Sequence, residues 1–141
     1  MAFNHGRVAV LKIDDSGGTL RDVSAYCTGC DLDQGVDIPD TTTFGNTTRQ
    51  RDVVGLIDNK FTITGFFDPS ATTGLYTVLS GLVGLAGTTS VEYGPAGSTG
   101  GYPKTTAEAR MTSMKIGSQV DGVCSLSADF VVDGAVTYTT W

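Results

Sequence analysis

The sequence is poor in charged residues, which make up 17% of its 141 residues and are usually closer to a quarter. Nine Lys and Arg stand against 15 Asp and Glu, for a formal net charge of −6. Tight binding of nucleic acid needs clustered cations that displace counterions from phosphates, and this balance argues against it. The same balance of charges is compatible with a surface along which DNA slides without being bound. Because so few charges cover the surface, we expect neighbouring subunits to cover part of it.

Long apolar runs are also absent. No stretch approaches the roughly 18 apolar residues of a membrane span, and residues 1–10 lack the apolar core and cleavage site of a signal peptide. We therefore expect neither a membrane-spanning nor a secreted protein.

The number of cysteines is odd, since the chain has only Cys27, Cys30 and Cys124, so a fully paired disulfide framework within one chain is excluded. Free thiols fit folding in a reducing cytoplasm.

Groups with catalytic or metal-binding spacing are scarce. Cys27 and Cys30 form a CxxC pair, but Cys124 and the lone His5 do not supply the second pair of ligands that a structural zinc needs. A redox role would need a helix start in a βαβ setting, so ordinary half-buried thiols are favoured. A single histidine also makes a Ser–His or Cys–His arrangement improbable. We predict no enzyme, no cofactor and no metal site.

Two further motifs resemble ligand sites only loosely. The aspartates at 31, 33, 37 and 40 approach a calcium-loop spacing, but no glutamate closes the loop at its twelfth position. The glycine-rich segment 94–101 lacks the Lys-Ser/Thr and the following helix of a phosphate loop. A solvated or subunit-contacting loop is favoured for the first and a plain loop for the second.

Glycine, at 19 residues, and threonine, which is more frequent still, are abundant. Glycine permits tight turns and threonine favours strands, so the composition predicts a mainly β fold with short connections in one domain, residues 1–141. A change of phase between Met111 and Met114 predicts a bulge. The strands are predicted at 7–14, 50–57, 61–67, 88–93, 105–116, 123–132 and 135–141, with 20–26 as a short strand or a helical turn and 58–60 as the turn of a hairpin.

Two segments interrupt the strand pattern. Residues 29–45 carry four Asp and no run of core residues, which predicts a long surface loop near 29–49 that reaches a partner. Residues 68–70, Asp-Pro-Ser, have the chemistry of a helix start, and apolar residues follow at helical spacing until Gly87. The helix residues expected to face the core are Leu75, Val78, Leu79 and Leu82.

The segment 123–132 alternates most regularly. Side chains along a strand point to opposite faces in turn, so its even-numbered apolar residues are expected to face the core. These are Leu126, Ala128, Phe130 and Val132. The residues expected on the other face include Ser125, Ser127 and Asp129.

A resemblance to a known family covers most of the chain. Residues 40–75 resemble the middle of tail tube proteins from long, non-contractile-tailed bacteriophages, and they read DTTTFGNTTRQRDVVGLIDNKFTITGFFDPSATTGL. The later VEYGPAGSTGG and the closing ADFVVDGAVTYTTW are similar to the same family. The resemblance implies a β-sandwich or partly open barrel with one flanking α-helix.

The resemblance also implies a function. Members form hexameric rings that stack into a hollow tail tube, through which phage DNA passes transiently and without sequence specificity during ejection. The implied partners are further copies of the chain and the tape measure, distal tail and tail terminator proteins, with no membrane. The implied location is the virion tail, after assembly in the host cytoplasm.

Two sets of residues receive candidate roles on this basis. The long loop would contact the adjacent ring through Asp37, Asp40, Phe44, Arg49 and Arg51. The arginines could pair with an Asp of this acidic loop on a neighbouring subunit. The small polar and acidic face of 123–132 would line the channel, because an acidic wall repels phosphate. Its residues are Ser125, Ser127 and Asp129, and a solvent-facing strand on the outside of the tube is the alternative.

Two other functions are weighed against this one. A head decoration protein, or another accessory virion protein that binds a preformed shell, would share the small β fold and the absence of catalysis. It should stay a monomer or trimer without its shell. A small redox enzyme would need a low thiol pKa at Cys27 and Cys30 and would lose activity on Cys→Ser change.

Overall fold

A computed structural model describes residues 3–51 and 55–141. Eight strands and one α-helix form the main regular structure of these residues. The strands are β1 Val10–Asp14, β2 Leu20–Asp22, β3 Cys27–Val36, β4 Ile57–Phe66, β5 Thr89–Gly94, β6 Pro103–Gly117, β7 Ser125–Val132 and β8 Thr137–Thr140. The helix α1 is Leu75–Ser80, and 3-10 turns lie at Gly6–Val8 and Ser24–Tyr26.

The eight strands form one antiparallel sheet in the order β2-β1-β5-β6-β7-β4-β3, and β8 pairs with β6 beside this path. The long β6 joins the two halves, because its first part pairs with β5 and β8 and its second part with β7. Its register shifts between Met111 and Ser113, where an extra residue bends a strand. The predicted bulge is confirmed.

Both halves of the sheet contribute to one apolar core, so the sheet curls around its apolar face. The predicted mainly β fold with one flanking helix is confirmed, and its sheet is single and open. No helix of the described residues combines the length and the apolar composition that a membrane crossing requires. Among the largest fully buried side chains are Phe61, Phe130, Ile13, Ile63, Leu75 and Leu79.

The helix is shorter than predicted at both ends. Asp68 accepts a hydrogen bond from the Ser70 backbone N–H at 2.8 Å, which makes a separate turn ahead of the helix. Gly84, at φ +73°, is in the left-handed region, so helical geometry does not continue to Gly87. The core-facing prediction is nevertheless confirmed. Leu75, Val78, Leu79 and Leu82 are each at most 3% exposed.

The main correction concerns the loop predicted near 29–49. Its first part is strand, because residues 27–36 form β3 and pair with β4, from Cys27 opposite Gly65 to Val36 opposite Ile57. The outward residues of β3 are acidic or glycine, and only Cys30 and Leu32 pack against the core from its middle. The apolar alternation of this strand was therefore too weak to predict it.

The hairpin predicted for 50–57 and 61–67 is also wrong. Residues 58–60 lie inside β4 and make no turn, since they continue the ladder with β3. Of the predicted strand 50–57, residues 52–54 lie outside the described residues. The first strand begins at Val10 and not at residue 7, because a 3-10 turn occupies Gly6–Val8.

Candidate assembly surfaces

The connection from β3 to β4 is a folded extension of their hairpin, here called the arm (residues 37–51 and 55–56). At its base, the Asp37 backbone N–H donates to the Leu56 carbonyl at 3.0 Å. Farther out, Asp40 and Arg51 form an isolated antiparallel bridge. The arm therefore continues the direction of the β3–β4 hairpin beyond the end of the sheet.

Asp40 fixes the outer half of the arm. Its Oδ1 accepts the Thr42 hydroxyl and also the Thr42 backbone N–H at 2.9 Å, while its Oδ2 accepts the Arg49 guanidinium. These donors, chiefly the Thr42 hydroxyl, hold the pKa of Asp40 below its usual range. Arg49 thus has an acidic partner within its own chain, which removes the need for an Asp of a neighbouring subunit.

Phe44 lies at the tip of the arm. The Asn46 N–H donates to the Thr43 carbonyl at 3.3 Å, and Gly45 takes φ +92°, so residues 43–46 make a tight turn. The Asn46 side chain secures this turn by accepting the Thr43 backbone N–H at 2.9 Å. At its apex the Phe44 side chain is fully exposed. A large, rigidly presented aromatic of this kind is typical of an interface anchor.

The outer face of β3, β4, β7 and β6 is polar. Asp129 on β7 lies between Thr62 on β4 and Ser113 on β6. The Thr62 hydroxyl donates to Asp129 Oδ1 at 3.1 Å and the Ser113 hydroxyl donates to Oδ2 at 2.9 Å. Both carboxylate oxygens are satisfied within the sheet, so Asp129 presents a fixed negative charge to this face.

The predicted alternation of β7 is confirmed as a pattern of burial. Its even-numbered apolar residues turn into the core and its odd-numbered residues turn to the polar face. Leu126, Ala128 and Phe130 are buried, Val132 and Ser127 are half-buried, and Ser125 and Asp129 are exposed.

The four-stranded part of the sheet has two edges without a partner strand among the described residues. β3 pairs with β4 alone, and residues 110–117 of β6 pair with β7 alone, because the pairing of β6 with β5 ends at Ala109, opposite Thr89. Unpaired strand edges are templates for another chain. β3 and β6 run in opposite directions, so β6 of one copy can pair antiparallel with β3 of the next.

The cysteine pair does not have the character of a redox site. Cys27 and Cys30 are half-buried free thiols, and burial raises the pKa of each to about 12. A thiol that is almost wholly protonated at neutral pH is a poor nucleophile and a poor metal ligand. In residues 3–51 and 55–141, no cluster of three or more His, Cys, Asp or Glu could hold a metal ion.

Solved structures with the same architecture belong to tail assemblies. A chain in the tail of an empty gene transfer agent particle, refined helically with C6 symmetry, has a TM-score of 0.78 and 13% identity, and covers 98% of this chain and 100% of its own. The SPP1 tail tube has a TM-score of 0.78 and 11% identity, with 99% and 80% covered. This chain has the tail tube fold. The fold extends to the sheath–tube complex of an extracellular contractile injection system, with a TM-score of 0.68, 10% identity, and 99% and 93% covered.

The comparison of sequences alone gives no such likeness. No family model and no curated protein matches the chain. The tail tube fold predicted from the resemblance is confirmed by shape, although the identities of these three structures are only 10 to 13%.

The tail tube fold places the predicted residues in two separate regions. Those on the arm are Asp37, Asp40, Phe44, Arg49 and Arg51, and those on the polar face are Ser125, Ser127 and Asp129. The sequence reasoning missed Thr62 and Ser113 as partners of Asp129, because cross-strand neighbours depend on register. The available signal for Thr62 was the alternation of residues 61–65, FTITG.

Proposed function

We propose that the chain is a non-enzymatic structural subunit whose copies close into hexameric rings, which stack into a hollow tail tube that conducts phage DNA. The observation that carries this proposal is the pair of unpaired edges on one four-stranded sheet, β3 on one side and residues 110–117 of β6 on the other. Repeated edge-to-edge addition continues the antiparallel order from one copy to the next. When the ring closes, neither of these two edges is left exposed.

The number of copies in the ring rests on likeness of fold. The gene transfer agent tail has C6 symmetry, and its chain covers nearly all of this one. Six copies would give the ring a continuous wall made of six four-stranded sheets. The partners in the virion tail would be further copies and other tail proteins.

The polar face suits the wall of a channel for DNA. Charges of both signs lie on it, interspersed with hydroxyls, so it holds no concentrated cation patch that would grip phosphate. Asp129 is fixed by two hydroxyl donors, and Lys60 lies 3.5 Å from the Asp58 carboxylate. The charged residues on this face of β3, β4, β7 and residues 110–117 of β6 are Asp31, Asp33, Asp58, Lys60, Arg110, Lys115 and Asp129.

The arm suits contact between stacked rings. It projects past the end of the sheet along the direction of its strands, where a ring formed by lateral strand pairing has its upper or lower rim. We assign this contact to the arm residues Asp37, Asp40, Phe44, Arg49 and Arg51, with Asp40 and Arg49 holding its shape.

Electron microscopy of the purified protein tests the proposal. We expect rings, and tubes at higher concentration, with a central channel. A protein that stays a monomer or trimer at every concentration would contradict the tube and favour an accessory protein that needs a preformed shell.

A further inference from the structure

The curled sheet leaves a gap on its open side, and a pocket of about 490 Å³ lies in this gap. The start of β3 lines one side of it with Cys27 and Cys30, and β1 and β5 line the other side with Leu11 and Tyr93. Apolar and sulfur-bearing side chains thus contribute to a cleft of a size that holds an aromatic group. We call it the gap pocket.

The gap pocket and the arm lie at opposite ends of β3. Cys27, opposite Gly65, marks the pocket end, and Val36, opposite Ile57, marks the arm end. The pocket extends along β3 as far as Asp31, and from there to Val36 the strand spans about 17 Å at roughly 3.3 Å per residue. The arm extends from Val36 in the direction away from the pocket of its own subunit, whereas a copy stacked end to end along the strands would bring the two features together.

We propose that Phe44 of each arm inserts into the gap pocket of a copy in the adjacent ring, an inference that rests on the proposed tube. The contact is head-to-tail: every subunit gives an arm at one end and receives one at the other, which is the symmetry that an open stack requires. An arm-to-arm contact would instead close rings into pairs and stop growth.

The chemistry of the two surfaces matches. The tip of the arm, residues 41–48, reads TTTFGNTT and carries no charge. The pocket is lined by one cation, Arg7, and one anion, Asp31, so insertion buries no excess charge. Since hydrogen bonds around Asp40 already order the arm, less conformational entropy is lost on docking.

The size of the contact explains why it would act only between rings. A buried Phe removes about 150–250 Å² from water, far below the roughly 1,200 Å² of a stable protein pair. One arm would bind weakly, but a ring presents all of its arms at once and the contacts add through avidity. Stacking would therefore follow ring closure.

Cross-linking to the native thiols of the pocket tests the inference. Tubes of a Phe44→Cys variant are treated with a short bismaleimide and run on a denaturing gel. The reagent reacts first at the exposed residue 44 and then holds its second maleimide beside the pocket thiols, and this proximity offsets their slow intrinsic reaction. We expect a ladder of covalent oligomers, because each chain would bond to one copy above and one below. Mass spectrometry should locate the links between residue 44 and Cys27 or Cys30.

Matched variants separate this pocket from other docking sites. Adding Cys27→Ser and Cys30→Ser should abolish the ladder. Val120→Cys, also fully exposed but on the β6–β7 turn, should give no link to Cys27 or Cys30. Phe3→Cys tests the alternative that Phe3, next to pocket residue Asn4, fills the pocket from its own chain. An intrachain link from residue 3, or tubes with no link from residue 44, would overturn the inference and leave the proposed tube standing.

A measurement on the unaltered protein covers the case in which the Phe44→Cys variant does not assemble. N-ethylmaleimide should react slowly with the protonated thiols of Cys27 and Cys30 in dissociated subunits, and at least about tenfold more slowly still in tubes, because an occupied pocket shields both thiols. Equal rates would contradict an occupied pocket. If the unaltered protein forms no tubes, the proposed function itself fails, and this inference fails with it.

Discussion

Gly65 lies on the core face of β4, between large apolar residues, and close packing requires a glycine there. A Cβ at this position would lie 2.5 Å from the Tyr26 carbonyl oxygen and 2.7 Å from Leu75 Cδ2. The absence of a side chain is what lets the start of α1 and the chain before β3 pack against β4. The glycine at position 65 thus determines where the start of α1 packs on β4.

We expect Gly65→Ala to lower the free energy of unfolding by about 1–3 kcal/mol, because backbone or Leu75 must shift to admit a methyl group. Urea unfolding followed by circular dichroism measures the change. Gly6→Ala, where nothing lies within 4 Å of the new Cβ, is the matched control and should unfold at nearly the parent concentration. Identical midpoints for the two variants would refute this account of the packing.

Leu79 tests whether the helix face belongs to the core. It is fully buried, so Leu79→Ala should cost about 2–5 kcal/mol of stability through lost burial and the cavity that remains. Val83→Ala, at a position that is 57% exposed, should change stability by less than about 0.5 kcal/mol. Thermal and urea unfolding of both variants checks the difference. A Leu79→Ala protein as stable as the parent would place this face at an interface.

Among the elements, the arm differs from an ordinary loop because Asp40 organises it. Asp40→Asn removes the charge that pairs with Arg49, so we expect trypsin to cut after Arg49 and Arg51 faster in variant subunits at neutral pH. Asp121→Asn, an equal change of charge outside the arm, is the control. Unchanged cleavage after Asp40→Asn would show that the arm is ordered by other contacts.

The same carboxylate gives the arm a dependence on pH. The pKa of Asp40 is lowered in the folded chain, so its contribution is present above the unfolded value of about 3.9 and is lost as pH falls through the lower folded value. We expect tubes to shorten only below about pH 4. Electron microscopy across an acid titration measures this, with the Asp40→Asn protein showing a smaller change over the same range. Tubes that dissociate between neutrality and pH 5 would point to other groups.

The arm as a whole is predicted to be needed for stacking and not for folding. Replacing residues 41–50 by an Asn-Gly turn keeps Asp40 facing Arg51 and removes only exposed side chains. The subunit should unfold at the parent temperature and still form rings, but long tubes should not appear. Thr47→Ala, a small change in the same segment, should assemble normally. Tubes of ordinary length from the shortened protein would show that the arm does not join rings.

Among the strands, β7 is the one whose inward and outward residues the sequence predicted most clearly. β7 lies between β4 and β6, so one face is wholly buried and its alternation through Phe130 is unambiguous. β3 is an edge strand with Gly29 and Gly35 and an acidic outer face, and its pairing with β4 fixes it more than its own pattern does. The arm was predicted to be exposed because the segment lacks core residues, whereas its folded shape depends on hydrogen bonds from Thr42 that a sequence does not display.

For the whole molecule, the two faces of one curled sheet have different tasks. The inner face holds the core that makes the subunit stable, and the outer face of β3, β4, β7 and β6 carries hydroxyls and fixed charges. In a closed ring, one of the subunit's surfaces must become the channel wall. The polar face belongs to a continuous four-stranded surface that is flanked by two edges without a partner strand in the described residues, so ring closure along those edges carries it into the ring wall.

The last prediction asks which side of that wall the polar face takes. In tubes, Asp129→Cys should be excluded from a bulky thiol reagent, because the reagent must enter a narrow channel, while free subunits should react. Val83→Cys lies beyond α1, whose residues pack on the opposite side of the sheet, and it should react in tubes and subunits alike. Mass spectrometry of the labelled peptides separates these sites from the native thiols. If residue 129 is labelled equally in both states while residue 83 is protected in tubes, the polar face lies on the outside, and the DNA would then pass along the side of the subunit that carries the helix.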